Sequence, residues 1–395
     1  MYLSNIKIRN FKNLNRLDIN CQNNITYFYS PNGTGKTNLL EAIQCLTVGK
    51  SLRSKSENDI FNFDKKNGKV LVSGNINDED EIKSKHEYIL SNTPKRIKEL
   101  KINNNKVSIN SFIGRSPSIW FSPESIKIIN TSALNKRKYF DDILVQLYPE
   151  YFFNLKSYNR SLKQRNKILQ NDKIDKSSIR VWTEELINFG SKLVKQRQSF
   201  YKLLNDEFDK LNEIERYKFK ILPEPSIKLN DLFDEDANYR FLNDLQNNYK
   251  KDLEMRSTTV GPHKDNWQIL IKIKPKKEYI HADRFASRGQ QRMSLIVLQL
   301  VLINIFIKQK SVTPIMLLDD IFSELDNQNE KILIEFLTHN KIQTFITGVN
   351  KLKDKKINQI DLSSRMKQSG ILGSGPSCST KLKTTEERDS GTRPD

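Results

Sequence analysis

Ser30-Pro31-Asn32-Gly33-Thr34-Gly35-Lys36-Thr37 is the stretch that decides the fold. It follows a short apolar run, ITYFY at Ile25–Tyr29, and precedes a helix pattern from Lys36 to about Leu46. The order is therefore buried strand, glycine-containing loop, helix. Such a loop is a phosphate cradle, because backbone N–H groups of the loop and of the helix start converge on one spot. Gly33 and Gly35 supply the backbone angles the loop needs. Lys36 is placed to reach the β- and γ-phosphates of ATP, and the Thr37 hydroxyl to ligate Mg²⁺. Ser30, Pro31, Asn32, Gly33, Thr34, Gly35, Lys36, Thr37 and Asn38 are thus the candidate ATP-binding residues, with Lys36 also catalytic. Ser30 holds the place of the usual first glycine, a position that shapes the turn and does not bind phosphate. A fortuitous glycine-rich turn is the alternative, and the flanking strand and helix speak against it.

A second half of the site is legible far downstream. Ile315-Met316-Leu317-Leu318 reads as a buried parallel strand, and Asp319 and Asp320 emerge where it ends. Ligands collect at such strand ends in α/β sheets. Asp319 is the natural Mg²⁺ partner, and Asp320 is the candidate catalytic group that orients or deprotonates the attacking water. Taken alone, the pair also fits an acidic helix cap. Between the two halves, Ser287-Arg288-Gly289-Gln290-Gln291-Arg292 opens an apolar helix pattern running from Met293 to Ile307. A small, polar, glycine-containing helix start is another anion-binding N-terminus. Two phosphate-seeking helix starts in one chain make sense if the second serves the nucleotide of a partner molecule, although spacing alone also permits an ordinary N-cap.

The 395 residues carry a formal net charge of +19, which draws the chain toward polyanions and disfavours a purely small-molecule enzyme. Nucleic acid is the leading partner class on charge; anionic membranes are the competitor. Cys21, Cys45 and Cys378 are widely spaced and show neither a disulfide framework nor a metal motif. The N-terminus MYLSNIKIRN lacks a signal-peptide pattern, and the Met293–Ile307 run is too short and too interrupted for a membrane span. A cytoplasmic location and no membrane association are expected.

Strand patterns dominate up to Val107, with Asn103–Asn105 reading as a hairpin turn. From about Thr131 to Arg256 apolar residues recur at helical spacing. Strand character returns at Asn266–Lys274, where Trp267, Ile269, Ile271 and Ile273 share a face. An α/β region (1–130 and 257–365) is therefore split by a mostly helical insertion (131–256). A polar, Gly/Ser/Thr-rich stretch (366–395) reads as a flexible tail.

NFKNL (Asn10–Leu14), SPNGTGKTNLLEAI (Ser30–Ile43), GKSLRS (Gly49–Ser54), FSPESI (Phe121–Ile126), GPHKD (Gly261–Asp265), SRGQQR (Ser287–Arg292) and LLDDIFSELD (Leu317–Asp326) stand in the order and setting of ABC-type ATPases. The set resembles their chromosome- and repair-associated branch, and more closely still the RecF family of bacterial recombination mediators, from Met1 to about Leu362. The resemblance implies an ABC-type ATPase head, with a P-loop, a mixed sheet and an antiparallel β subdomain, interrupted by the helical lobe. It implies an ATP-dependent homodimer in which Ser287, Arg288, Gly289, Gln290 and Gln291 close on the partner's nucleotide, with Asp326 at the interface and Thr347 at a switch position after the last strand. It further implies slow, DNA-stimulated hydrolysis, binding to gapped DNA or duplex–single-strand junctions, and loading of RecA together with RecR and RecO.

A sequence-independent binder of this kind contacts phosphates. The helical insertion offers Lys136-Arg137-Lys138 and then Lys156, Arg160, Lys163, Arg165 and Lys167. Arg160, Lys163 and Lys167 share a helix face and are the candidate DNA contacts; a solvated face in a lysine-rich protein is the alternative. A transporter-type nucleotide-binding subunit would carry a turn closer to LSGGQ. An SMC-like structural protein would need hundreds of heptad residues in the insertion. An ATPase-linked nuclease would need a further acidic domain after the head.

Overall fold

The computed structural model describes residues 1–51, 53–54, 56–62, 68–93, 95–211, 217–229, 237–273, 278–323, 327–352 and 357–368. Its centre is a five-stranded parallel sheet of β3 (Ile25–Tyr29), β8 (Ser118–Phe121), β12 (Ile315–Leu318), β13 (Thr344–Gly348) and β14 (Asn358–Asp361), in the order β14-β3-β13-β12-β8. β12 and β13 are buried along their whole length, as expected of strands covered on both faces. Alternate residues point to different layers. Phe28, Ile315, Leu317 and Phe345 join Leu39, Ile43 and Leu46 of α1 (Lys36–Val48) in one core cluster. Tyr27, Met316, Leu318 and Ile346 join Leu298, Val301 and Phe306 of α10 (Arg288–Lys310) in the other.

Beyond α1 lies a six-stranded antiparallel sheet, ordered β2-β1-β4-β5-β6-β7, built from β1 (Tyr2–Phe11), β2 (Leu14–Asn20), β4 (Lys69–Asn77), β5 (Lys83–Ser91), β6 (Ile97–Ile102) and β7 (Asn105–Val107). The α/β head with an antiparallel sheet expected from the sequence is thus present. Asn103 and Asn104, at φ 50° and 68°, form the two-residue turn between β6 and β7, so Asn105 already pairs with Ile102. Left-handed backbone at both central residues matches the twist of a hairpin, and asparagine tolerates it.

The other side is helical. The short α2 (Ile109–Phe112) and α3 (Lys127–Asn130) lead into α4 (Ala133–Leu147), α5 (Pro149–Leu169) and the 36-residue α6 (Lys176–Leu211). They are followed by β9 (Tyr217–Glu224), α7 (Ala237–Asn247), α8 (Tyr249–Glu254), β10 (Asn266–Ile273), β11 (Ile280–His281) and α9 (Ala282–Phe285), with α11 (Asn327–His339) and α12 (Leu362–Gln368) closing the order. β9, β10 and β11 make a small antiparallel sheet. Trp267, Ile269 and Ile271 of β10 are buried in the same cluster that holds Tyr151, Leu186 and the α10 residues, so helical segment and head share one core. By length and composition α10 passes for a membrane span, but Leu298, Val301, Leu302, Ile305 and Phe306 are buried in that core.

Two buried arginines tie the helices together. Arg197 donates to Asp141 and Asp265 at 2.8 Å each and to the Pro262 carbonyl at 2.6 Å. Arg165 donates to Asp252 at 2.8 Å and to Thr258 at 2.6 Å. The GPHKD stretch lies in this network, with His263 Nδ1 2.6 Å from the Tyr158 hydroxyl. Of the cations offered above as a basic surface, two are therefore internal and a third is half-buried with its head turned inward. Arg165 is buried in its ion pair, Lys136 is buried with its ammonium over the Trp267 ring, and Arg137 donates to the Asp265 carbonyl at 2.6 Å. The reading of these three as surface charge is corrected, because each side chain faces the helix packing.

Removing one partner of a buried ion pair strands the other. Arg197→Met leaves Asp141 and Asp265 without their cation, and a loss of about 3–5 kcal/mol is expected. A urea unfolding midpoint equal to that of the unaltered chain would refute the role given to this network.

Candidate nucleotide site

The order of the parallel sheet brings the ends of β3 and β12 to the same edge, with β13 between them. The loop after β3 turns through Gly33 (φ 82°) and Gly35 (φ 100°) into α1. A Cβ on Gly35 would sit 2.6 Å from Asn13 Oδ1, so both its backbone angle and its neighbour demand glycine. Asn13, between β1 and β2, straps the loop: its Nδ2 donates to the Gly33 carbonyl at 3.3 Å, and its Oδ1 accepts from Asn38 at 2.9 Å. Ser30 is buried, and its hydroxyl is hydrogen-bonded to that of Thr34, which also donates to the Pro31 carbonyl at 2.9 Å. The serine that replaces the usual glycine therefore helps to close the turn. Lys36 Nζ donates to the Ser30 and Pro31 carbonyls at 2.6 and 3.0 Å. Burial lowers the lysine pKa, against the opposing pull of Asp320 and Asp319.

Thr37 and Asp319 are brought together. Asp319 Oδ1 accepts from the Thr37 hydroxyl at 3.0 Å and from the Thr347 hydroxyl at 2.7 Å. Burial raises the Asp319 pKa despite these two bonds and the nearby charge of Arg53. A hydroxyl and a carboxylate, both hard oxygen donors, fit Mg²⁺, which takes few protein ligands and keeps waters and phosphate oxygens around it. Asp320 follows in left-handed backbone (φ 48°), with its N–H donating to Thr347 Oγ1 at 3.0 Å. Thr347 itself lies inside β13 and is fully buried, and β14 comes after it. The expectation of a switch residue after the last strand is corrected on that ground.

Sequence reasoning missed the residue that joins three of the motifs. Glu41 of α1 is fully buried; it accepts from Lys12 at 2.5 Å, Ser51 at 2.6 Å and Ser54 at 2.5 Å, with Arg53 at 3.8 Å. Burial alone would raise its pKa, but the bonds from Lys12, Ser51 and Ser54 outweigh it and the net shift is downward. The available signal was one acid among the buried apolar residues of LLEAI, with a lysine in NFKNL and two serines in GKSLRS to receive it.

Ser287 caps α10. Its Oγ accepts from Gln290 N at 3.3 Å, and Gln290 Oε1 accepts from Ser287 N at 2.9 Å. These bonds close on each other and not on Lys36, Thr37 or Asp319. Ser287, Arg288 and Gly289 are exposed, and nothing stands within 4 Å of where a Gly289 Cβ would be. Gln291 differs: its side chain is buried and donates to the Ala282 carbonyl at 2.8 Å, so it anchors the turn from below. Asp326 lies outside the described residues.

Arg160, Lys163 and Lys167 are all exposed on α5. Lys163 and Lys167 border a surface depression of about 650 Å³ together with Asn159, Gln164 and Gln170. Arg160 lies over the Trp182 ring, 5.8 Å from its centre.

The chain matches the family model of the RecF/RecN/SMC N terminal domain over residues 2–370. It is 31% identical over 373 residues to the DNA replication and repair protein RecF of Natranaerobius thermophilus, covering 89% of this chain and 92% of that one. Its fold is similar to a solved structure of the recombination mediator protein RecF with ATPγS, of the RecFOR pathway, at TM-score 0.81 and 28% identity over 91% of this chain and 97% of that one. A second such structure, RecF with ATP, is similar at TM-score 0.79 and 30% identity over 90% and 95% of the two chains.

The raised Asp319 pKa has a consequence for stability. A carboxyl whose folded pKa lies above its unfolded value stabilises the fold below the usual 3.8, and this contribution is lost as pH rises through the raised value. Asp319→Asn escapes that loss while keeping an oxygen for Thr37 and Thr347. The variant is expected to melt higher than the unaltered chain at neutral pH, with the gap narrowing as pH falls toward the usual aspartate value. A lower melting temperature for the asparagine variant at pH 7 would contradict this.

Proposed function

The chain belongs to the RecF proteins of the RecF/RecN/SMC N-terminal domain family, and on that premise we propose that it is an ATP-driven DNA clamp that acts as a recombination mediator in replication and repair. The observation that carries the ATP part is the 3.0 Å contact between Thr37 of the phosphate loop and Asp319 at the end of β12. Two motifs far apart in sequence meet there in the geometry a nucleoside triphosphate requires.

In this reading the loop from Ser30 to Asn38 holds the phosphates. Lys36 leaves the Ser30 and Pro31 carbonyls for the β- and γ-oxygens, where its charge stabilises the transferring phosphoryl group. Thr37 and Asp319 hold Mg²⁺, which supplies charge neutralisation when bound. Asp320 orients or deprotonates the attacking water. The exposed Ser287, Arg288 and Gly289, with the half-buried Gln290, close on the nucleotide of a second copy, with Asp326 at the interface, so the site is completed only in a homodimer. Hydrolysis is slow, stimulated by DNA, and releases the dimer.

DNA is engaged through phosphates without base reading, at gaps or duplex–single-strand junctions, and RecA is loaded there with RecR and RecO. The solved relatives of the RecFOR pathway support this assignment, as do the net charge of +19 and the exposed cations of α5, of which Lys163 and Lys167 lie beside amide side chains. A polynucleotide partner also fits a cytoplasmic protein.

Sedimentation with ATP, ADP or no nucleotide, with and without gapped DNA, tests the clamp. Dimer is expected only with ATP, and Ser287→Arg or Lys36→Met should abolish it. Asp320→Asn should dimerise and stay dimeric. A chain that remains monomeric with ATP and gapped DNA refutes the mechanism.

Replacing Arg160, Lys163 and Lys167 by Glu should weaken binding on all sequences. The slope of log K against log salt should fall by about 0.9 for each duplex phosphate that is no longer neutralised. An unchanged slope would remove α5 from the interface.

A further inference from the structure

Asp320 occupies backbone that L side chains rarely adopt, at φ 48°. Such a residue persists only where its surroundings hold it. Three hydrogen bonds do so here. Asp319 N donates to the Phe121 carbonyl at 2.8 Å, which continues the β12–β8 ladder one residue past the strand. Asp320 N donates to Thr347 Oγ1 at 3.0 Å, and the Asp320 carbonyl accepts from the Ser323 hydroxyl at 2.8 Å. The chain thus leaves the sheet in a single left-handed residue with both its peptide groups held. The direction in which the Asp320 carboxylate projects depends on those restraints.

Of these partners only Thr347 bonds both acids. Its hydroxyl has one proton, and that proton goes to Asp319 Oδ1 at 2.7 Å, so toward Asp320 N–H it acts as acceptor. Donating to a carboxylate makes the oxygen a better acceptor, so the two bonds reinforce each other. Thr347 is fully buried in the middle of a strand, where a β-branched side chain is stiff at χ1.

We propose that Thr347 is a positioning residue for ATP hydrolysis, whose single hydroxyl sets Asp320 in place relative to Asp319. The proposal rests on the reading of Asp320 as the group acting on the attacking water. Its role is separable from phosphate holding: its hydroxyl bonds Asp319 and Asp320 and not the loop from Ser30 to Lys36, and Asp319 has a second partner in Thr37.

The test uses the full chain with Thr347→Val, Thr347→Ala and Thr347→Ser, and with Lys36→Met as the hydrolysis blank. Three quantities are read: exchange of the Asp320 backbone N–H, affinity for a fluorescent ATP analogue, and the single-turnover hydrolysis rate; melting temperatures report folding. For the hydroxyl-free variants, exchange at Asp320 should accelerate about tenfold and hydrolysis should fall about tenfold or more. ATP affinity should stay within about threefold. Thr347→Ser should restore both exchange and rate. Unchanged exchange, a rate that falls only in step with ATP affinity, or a serine variant no better than valine would each overturn the proposal. A wild type that hydrolyses no faster than Lys36→Met overturns the catalytic reading of Asp320 as well, whereas a hydrolysing wild type beside an unimpaired Thr347→Val overturns the Thr347 role alone.

Discussion

One carboxylate oxygen, Asp319 Oδ1, accepts from Thr37 at the start of α1 and from Thr347 inside β13. That oxygen ties the end of β12 to the phosphate loop on one side and to the neighbouring strand on the other. This convergence requires β13 to lie between β3 and β12, and parallel pairing to put the ends of all three strands on one edge. The cost is a buried acid, visible in the raised Asp319 pKa. In the proposed site a bound cation would offset the desolvation of that carboxylate.

The fold was legible where the signal is local. SPNGTGKT after ITYFY, and IMLL before two aspartates, are decided by residues next to one another, and both strands and the intervening loop fell where these patterns put them. The Asn103-Asn104 turn was legible for the same reason, since left-handed backbone at both positions favours asparagine. Glu41 was not, because its partners come from segments before and after α1 and no period links them. Arg165 was misread from too coarse a count of charge. Tyr158, Ser161, Arg165 and Leu169 are the buried stripe of α5, spaced three or four apart, whereas Arg160, Lys163 and Lys167 lie off it. Helical spacing separates the two sets; counting cations along the segment does not.

The same distinction divides the charge of the helical segment into two kinds. Arg165 and Arg197 are spent on Asp252, Asp141 and Asp265, and being neutralised inside the packing they add nothing to the outward field. Of the α5 cations that remain exposed, Lys163 and Lys167 border a depression whose lining includes four amides. Amide and lysine side chains together suit phosphate and sugar better than base edges, which agrees with a partner recognised without sequence.

In the proposed dimer, α10 would set how the signature turn at Ser287–Arg292 meets a second copy. It is about 35 Å long at 1.5 Å per residue, and its far end is fixed by Lys308 to Glu207 of α6 at 2.6 Å and by Lys310 to the Gly114 and Gln146 carbonyls at 2.8 and 3.1 Å. Its near end is fixed from below by Gln291. Between them its apolar residues share the core that also holds Met316 and Leu318 of β12. Phosphate loop, acidic pair and signature turn are therefore parts of one packed body and do not hang on separate hinges. In the proposed dimer each copy then presents an already shaped half-site, and little ordering entropy remains to be lost at the interface. In that proposed dimer the association free energy would fall to the nucleotide between the two halves, and the dimer would answer to ATP.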